Sequence, residues 1–380
     1  MNKELSVASR KLWEEVFKED TKEFLDYYYR YVADHNRIYA ESEAGEMVSM
    51  LHMNPYRVRA GQKTAAVCYI VAVATKEKFR HQGRMRRLLQ KALKDSYQNR
   101  EPFAFLMPAK EAIYRPFGFC TVRWQDVLTL GDAFCTPQEE HAVSCRYAEE
   151  GQTEELAAFS QKILSEHCAV FAERDAAYFQ RIQKEQEAVN GGILLLYRDE
   201  KLCGYCFTGQ EDGTEIWELT DAGRSGASEE EKAADYADAL RAVTEKFSGQ
   251  GPIKISGLLP GAQIKGISRK EIAYRPVTMV RIVSLAAFAE LLTADEETEM
   301  LLEVRDSFLT ENNGYFRLCI NREGGSLKEL SGQELAKEKR QPVAVTVEEL
   351  TEIFFGLRRK ESLPLEQVHM LHPVFFNELV

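Results

Sequence analysis

Apolar positions change their period several times along the chain, and each change predicts an element. Over residues 22–32 the aromatics Phe24, Tyr27, Tyr28 and Tyr31 recur three or four positions apart, which predicts a helix with an aromatic face. Runs at 37–41, 46–58 and 64–73 read as strands. The last, TAAVCYIVAV, is almost continuously apolar, as a strand covered on both faces should be. Over 83–98 Met85, Leu88, Leu89, Ala92 and Leu93 share one helical face, with arginines and lysines on the other. A short strand at 103–107 follows.

A second series starts near Ala148. Helical patterns at 154–165 and 175–186 precede strands at 192–198, 202–208 and 215–220. Ser228 with Glu231 three residues on predicts a capping box, and an apolar stripe from Ala233 to Phe247 follows it. A strand at 253–256 closes the unit, so strand, helix and strand occur twice, at 64–107 and 215–256. The second copy has no glycine-rich turn before its helix. From Thr278 the pattern becomes a small α+β unit with a helix capped near Ser284. It continues with strands at 301–306, 314–320 and 342–347 and a last helix at 347–355. The expected units are 1–147, 148–278 and 279–380.

Three units suit 380 residues, because single cores seldom grow beyond roughly 250. With 49 basic and 60 acidic residues the net charge is −11, which argues against nucleic acid as a partner and agrees with a cationic acceptor. The longest apolar stretch, 65–74, is about half a membrane span, and the N-terminal residues lack a signal-peptide core. Eight dispersed cysteines suit reduced thiols. A cytoplasmic protein with no membrane span is the expectation. Cys203 and Cys206, three apart on a strand, should point to opposite faces and form no redox or metal pair. His369 and His372 have no carboxylate or cysteine at ligand spacing, so no metal is expected.

Candidate chemistry gathers in Val71-Ala-Val-Ala-Thr-Lys-Glu-Lys-Phe-Arg80-His-Gln-Gly83-Arg-Met-Arg86. A buried strand ends, a basic loop follows, and glycine opens a helix. Free N–H groups and the helix dipole make such a start an anion site suited to a pyrophosphate. Gly83 permits close approach, and Arg80, Arg84 and Arg86 add charge. Basic helix starts are more often solvated caps, so the context decides.

In context the stretch resembles motif A of the GCN5-related N-acetyltransferase (GNAT) superfamily, Arg/Gln-x-x-Gly-x-Gly/Ala. Here it is matched by Arg80-His81-Gln82-Gly83-Arg84-Met85. Met85 departs from the general pattern, but the enhanced intracellular survival (Eis) branch carries a large apolar residue there. The segment from Pro108 to Phe119, with Glu111, Ile113-Tyr114 and Phe117-Gly118-Phe119, is similar to a second Eis segment. The resemblance covers nearly the whole chain. It implies an α+β/α/β fold: two GNAT-like mixed-sheet domains in tandem and a C-terminal sterol-carrier-protein-like α+β domain.

The resemblance also implies a function. Acetyl-CoA would be co-substrate, with no metal, and a small-molecule amine or lysine the acceptor. Val71, Ala72 and Val73 would meet the pantetheine arm, and Arg80, His81, Gln82, Gly83, Arg84 and Met85 the pyrophosphate. Lys110 and Glu111 would line the cofactor site. Tyr114 would be the general acid, since a phenol suits a thiolate that needs a proton. The carboxylate of Val380 would be the base, anchored by Phe375 and Phe376. Homo-oligomers, commonly hexamers, are implied too. Two rival readings remain: a lipid-binding module that uses the sterol-carrier-like domain, and a non-catalytic acyl-CoA sensor.

Overall fold

The computed structural model describes residues 3–131, 142–149, 151–210, 213–267 and 272–378. Helices α1 (Lys3–Val16) and α2 (Lys22–Tyr31) precede strands β1 (Arg37–Glu43), β2 (Glu46–Ala60) and β3 (Lys63–Thr75). Helix α3 (Arg84–Gln98), β4 (Phe103–Leu106), the single turn α4 (Glu111–Tyr114) and β5 (Cys120–Leu130) follow. The next series is β6 (Val143–Tyr147), α5 (Thr153–His167), β7 (Val170–Ala172), α6 (Ala176–Ala188), β8 (Gly192–Arg198) and β9 (Lys201–Gly209). It closes with β10 (Thr214–Trp217), α7 (Glu229–Glu245) and β11 (Ile253–Ser256). The last series begins with β12 (Ala273–Ile282), α8 (Leu285–Ala289), β13 (Thr298–Arg305) and β14 (Gly314–Ile320). After it come β15 (Gly325–Glu329), α9 (Gly332–Leu335), β16 (Val343–Thr346), α10 (Val347–Phe354) and β17 (Val374–Phe375).

Local chemistry sets these boundaries. Thr21 caps α2 by accepting the Phe24 N–H, and Ser228 and Glu231 form the reciprocal capping box that their spacing predicts. The two strand–helix–strand units are both present. β3 and β4 are parallel across α3, and β10 and β11 are parallel across α7. Among the described residues they share one thirteen-stranded sheet, in the order β17-β7-β2-β3-β4-β12-β5-β11-β10-β9-β8-β6, with β1 on β2. β5 joins the halves by pairing with β12 on one side and β11 on the other.

β13 to β16 form a separate four-stranded sheet under α8 and α10. The space among Leu285, Phe288, Leu302, Leu350 and Phe354 is about 10 Å³, too small for a fatty-acid chain. No helix among the described residues is long and apolar enough to cross a membrane.

Three features depart from the sequence pattern. The first is β5, where Cys120, Val122 and Trp124 alternate with Thr121, Arg123 and Gln125 but the polar side is buried. The second is a bulge in β9: Leu196 pairs with Gly204 and Tyr197 with Leu202, leaving Cys203 as the extra residue. That bulge corrects the expected opposition of the two cysteines, since Cys203 and Cys206 lie in one apolar cluster. Both are free, and burial pushes the Cys203 thiol up to about 12 and Cys206 upward as well.

The third departure is the C-terminal segment, which joins the large sheet as the strand at one end of its order. β17 pairs in parallel with β7, and the Phe376 ring stacks on Phe105 at 4.2 Å. Arg123 lies over the Phe375 ring at 4.5 Å and donates to the Phe376 carbonyl. Gln125 donates to Asn377 at 3.0 Å, and Asn377 donates to Glu218 at 3.2 Å.

Candidate active site

The site begins with β3. It pairs with β4 only from Cys68 to Ile70, opposite Ala104 to Leu106, and then runs on to Thr75 against β2 alone. Opposite β2 it also bulges. Met50 pairs with Ala74 and His52 with Val71, so Ala72 and Val73 face Leu51 alone, with Ala72 at φ +51°. Two parallel strands therefore diverge beside half-buried Val71, Ala72 and Val73. Such an edge can receive an extended amide chain as if it were another strand.

Eight residues further on, Gly83 caps α3 in the left-handed region at φ +72°. The first backbone bond into the helix runs from the Arg87 N–H to the Gly83 carbonyl, so the N–H groups of Arg84 to Arg86 precede the ladder. Arg80 donates to the Thr75 carbonyl at 3.1 Å, tying the loop to the strand end. His81 and Gln82 are exposed, and Met85 packs on the cluster that contains Leu88. The arginines differ in role. Arg84 is paired with Glu41 at 3.1 Å and with Glu43, and Arg86 lies over the Phe308 and Phe117 rings. Among the described residues Arg80 has no acidic partner. The other parallel unit has the opposite electrostatics, because Glu229, Glu230 and Glu231 fill the first turn of α7. That helix start repels a phosphate.

Tyr114 closes α4 in the same apolar cluster that Val73 and Met85 pack against. Its ring meets Phe119 edge-on at 6.1 Å, and burial pushes its phenol up to about 12. The group is a proton donor at neutral pH. Glu111, one turn earlier, is held below the usual carboxylate range by the Thr121 hydroxyl and by Arg115. Lys110 is exposed just before it.

The loop after Tyr114 is fastened by residues that the sequence did not single out. Arg281 in β12 is fully buried, donates to the Phe117 carbonyl and pairs with Asp306 at 2.5 Å. Asp306 also accepts the N–H groups of Phe308 and Leu309 and the amide of Asn312. Gly118 sits at φ +81°, and a Cβ there would run into the Arg281 guanidinium.

Val380 lies outside the described residues. The segment leading to it is buried: the Tyr69 hydroxyl donates to the Glu378 carbonyl at 3.3 Å, and the Tyr178 hydroxyl to its carboxylate at 3.1 Å. Tyr69 is two residues before Val71, so the segment passes beside the diverging strands.

A cavity of about 640 Å³ opens on this side, between the end of α2, β2 and the start of α6. Its wall residue Val32 belongs to the apolar cluster that Val71 and Ala72 pack against. Behind the wall lie Glu185 and Glu378. Burial pushes Glu185 up to about 7 from an ordinary value of 4.5, against the pull of Arg181 and a hydrogen bond from Tyr27. Below about pH 4.5 this carboxyl is protonated whether folded or unfolded. As pH rises through about 7 the folded protein must ionise it in place, so the stability it contributes is lost over that window. Glu185→Gln should therefore stabilise the protein more at pH 8 than at pH 5, by about 1–3 kcal/mol in urea denaturation. Equal effects at the two pH values would refute this assignment.

Among the described residues no group of three or more His, Cys, Asp or Glu side chains could hold a metal ion. His369 is instead beside Thr293 at 3.0 Å and Asp295 at 3.2 Å.

Residues 1–122 match the family model of the acetyltransferase (GNAT) domain, and residues 282–367 match that of the sterol carrier protein domain. No curated protein matches the chain in sequence. Among solved structures, a conserved protein of unknown function from Enterococcus faecalis is similar at TM-score 0.76 and 16% identity. That match covers 97% of this chain and 92% of the other. A GCN5-related N-acetyltransferase from Anabaena variabilis is similar at 0.73 and 15% identity, over 97% and 92%. Eis1 from Mycobacterium abscessus is similar at 0.62 and 14% identity, over 96% and 91%. At such identities these are likenesses of fold. The chain thus joins a match to the GNAT acetyltransferase domain over residues 1–122 to a match to the sterol carrier protein domain over residues 282–367, within a fold similar to that of Eis1 from Mycobacterium abscessus.

Proposed function

We propose that the protein transfers an acetyl group from acetyl-CoA to the primary amine of a small acceptor or a lysine by direct attack. One observation carries this reading: bulged, diverging β3 leads into the left-handed glycine that opens α3. Val71, Ala72 and Val73 would pair with the pantetheine amides. The loop Arg80–Met85, with the free N–H groups after Gly83, would hold the pyrophosphate, with Lys110 and Glu111 beside it. We read the units as 1–147 for cofactor, 148–278 as a wall of the acceptor cavity, and 279–380 as the carrier-like unit supplying the terminal segment.

In this mechanism the Val380 carboxylate takes the ammonium proton of the acceptor. The freed amine attacks the thioester carbon, whose oxygen is polarised by N–H groups near Val73. The C–N bond forms, the C–S bond breaks, Tyr114 gives a proton to the departing thiolate, and the second proton shed by the nitrogen restores the phenol. The filled interior of the four-stranded unit disfavours the lipid-binding alternative.

The test joins calorimetry with coenzyme A to thiol release from acetyl-CoA over a panel of amines. Binding and release are expected, and residues added after Val380 should abolish release while leaving binding intact. Failure to bind coenzyme A refutes the reading. Binding with no release for any amine favours the acyl-CoA sensor instead.

A further inference from the structure

The wall of the 640 Å³ cavity holds more hydrogen-bond donors than its own carboxylates engage. Arg174 is buried; its Nη atoms bond Glu218 and Tyr205, while its Nε has no partner. Asn54, 1% exposed, leaves its amide nitrogen without a partner. Arg181 donates only to the Tyr56 hydroxyl at 3.3 Å, and its nearest carboxylates, Glu185 and Glu378, are each 3.9 Å away. That is beyond hydrogen-bond length. Burial pushes both of those carboxyls upward, against the pull of the neighbouring arginines.

Acids on the same wall are committed elsewhere. Glu173 pairs with Arg57 at 3.0 Å, and Asp175 caps α6 by accepting the Tyr178 N–H at 2.8 Å. Asn36, also on the wall, keeps an unpartnered amide oxygen that can accept an N–H. Buried donors without acceptors are costly unless a ligand supplies the acceptor. A pure polycation would bring more donors to a wall already carrying Arg57, Arg174 and Arg181.

We propose that the acceptor is an amine that also carries a carboxylate, an amino acid or short peptide. Its carboxylate is held by Arg181, whose side chain is 21% exposed, and its amine is directed toward Val71–Val73. This inference rests on the acetyl-transfer reading and names its substrate class. It narrows the expectation of a small cationic acceptor or lysine to acceptors that carry a carboxylate.

Matched pairs test it on the unaltered full chain. Lysine and cadaverine, or ornithine and putrescine, differ only by the carboxylate. Their kcat/KM values in acetyl-CoA-dependent thiol release should favour the amino acid by about 10-fold or more. Arg181→Gln should bring that ratio close to one, mainly by raising KM for the amino acid. Equal or better use of the diamines overturns the proposal without any variant, and so does an unchanged ratio in a folded Arg181→Gln protein. Turnover of other amines with neither member of any pair accepted overturns it too. Failure to release thiol with every amine overturns instead the transfer reading beneath it.

Discussion

Tyr114→Phe is expected to lower kcat for acetyl transfer by about 10²–10⁴-fold, the usual contribution of a positioned general acid. The hydroxyl is the only group removed, and the ring keeps its edge-on contact with Phe119. Affinity for coenzyme A and thermal stability should therefore change little. The phenol is pushed up to about 12 by burial, so it stays protonated across the neutral range. The fold-loss should accordingly be the same at pH 6.5 and pH 8.5. A loss below about 5-fold in single-turnover measurements would remove Tyr114 from this role, while the cofactor site would stand.

Asp306→Ala should destabilise the protein by about 3–5 kcal/mol, the range for a buried ion pair deprived of one partner. Arg281 would keep its charge inside the core, and the N–H groups of Phe308 and Leu309 would lose their acceptor. Urea denaturation measures this directly. The double replacement Arg281→Met with Asp306→Leu should recover most of the loss, because no charge is then left unpaired. Its kcat should nevertheless stay depressed, since Arg281 no longer anchors the Phe117 carbonyl three residues after Tyr114. A double variant as unstable as the single one would show that packing, rather than charge, dominates at this point.

The sequence disclosed most where a single periodicity ran unbroken. β3 and α3 were expected at 64–73 and 83–98, and they occupy Lys63–Thr75 and Arg84–Gln98. The loop between them could be read because a glycine and several arginines interrupt two apolar patterns at once. The place of β5 was hidden because it buries polar side chains, Thr121 bonded to Glu111 and Arg123 and Gln125 to the C-terminal segment, rather than a purely apolar face. The Cys203 bulge was equally hidden, since a period of two carries no mark of an extra residue. Arg281 lies in the apolar run MVRIV, where nothing local shows that Asp306 awaits it. The cavity is drawn from α2 and β2 on one side and from α6, more than a hundred residues further along, on the other. Net charge does not disclose its lining, because the wall presents arginines while the acids behind are buried.

Glu378 lies behind the wall of that cavity, bonded to Tyr178, and Phe376 stacks on Phe105; both are made after every element they touch. During synthesis the rest of the large sheet can therefore assemble while the space that these two side chains fill is still open. A chain released early would keep the diverging strand edge and the start of α3 but leave Tyr69, Phe105 and Tyr178 without the partners that cover them. Closure of this part of the core is thus a late event that waits on residues 374–378.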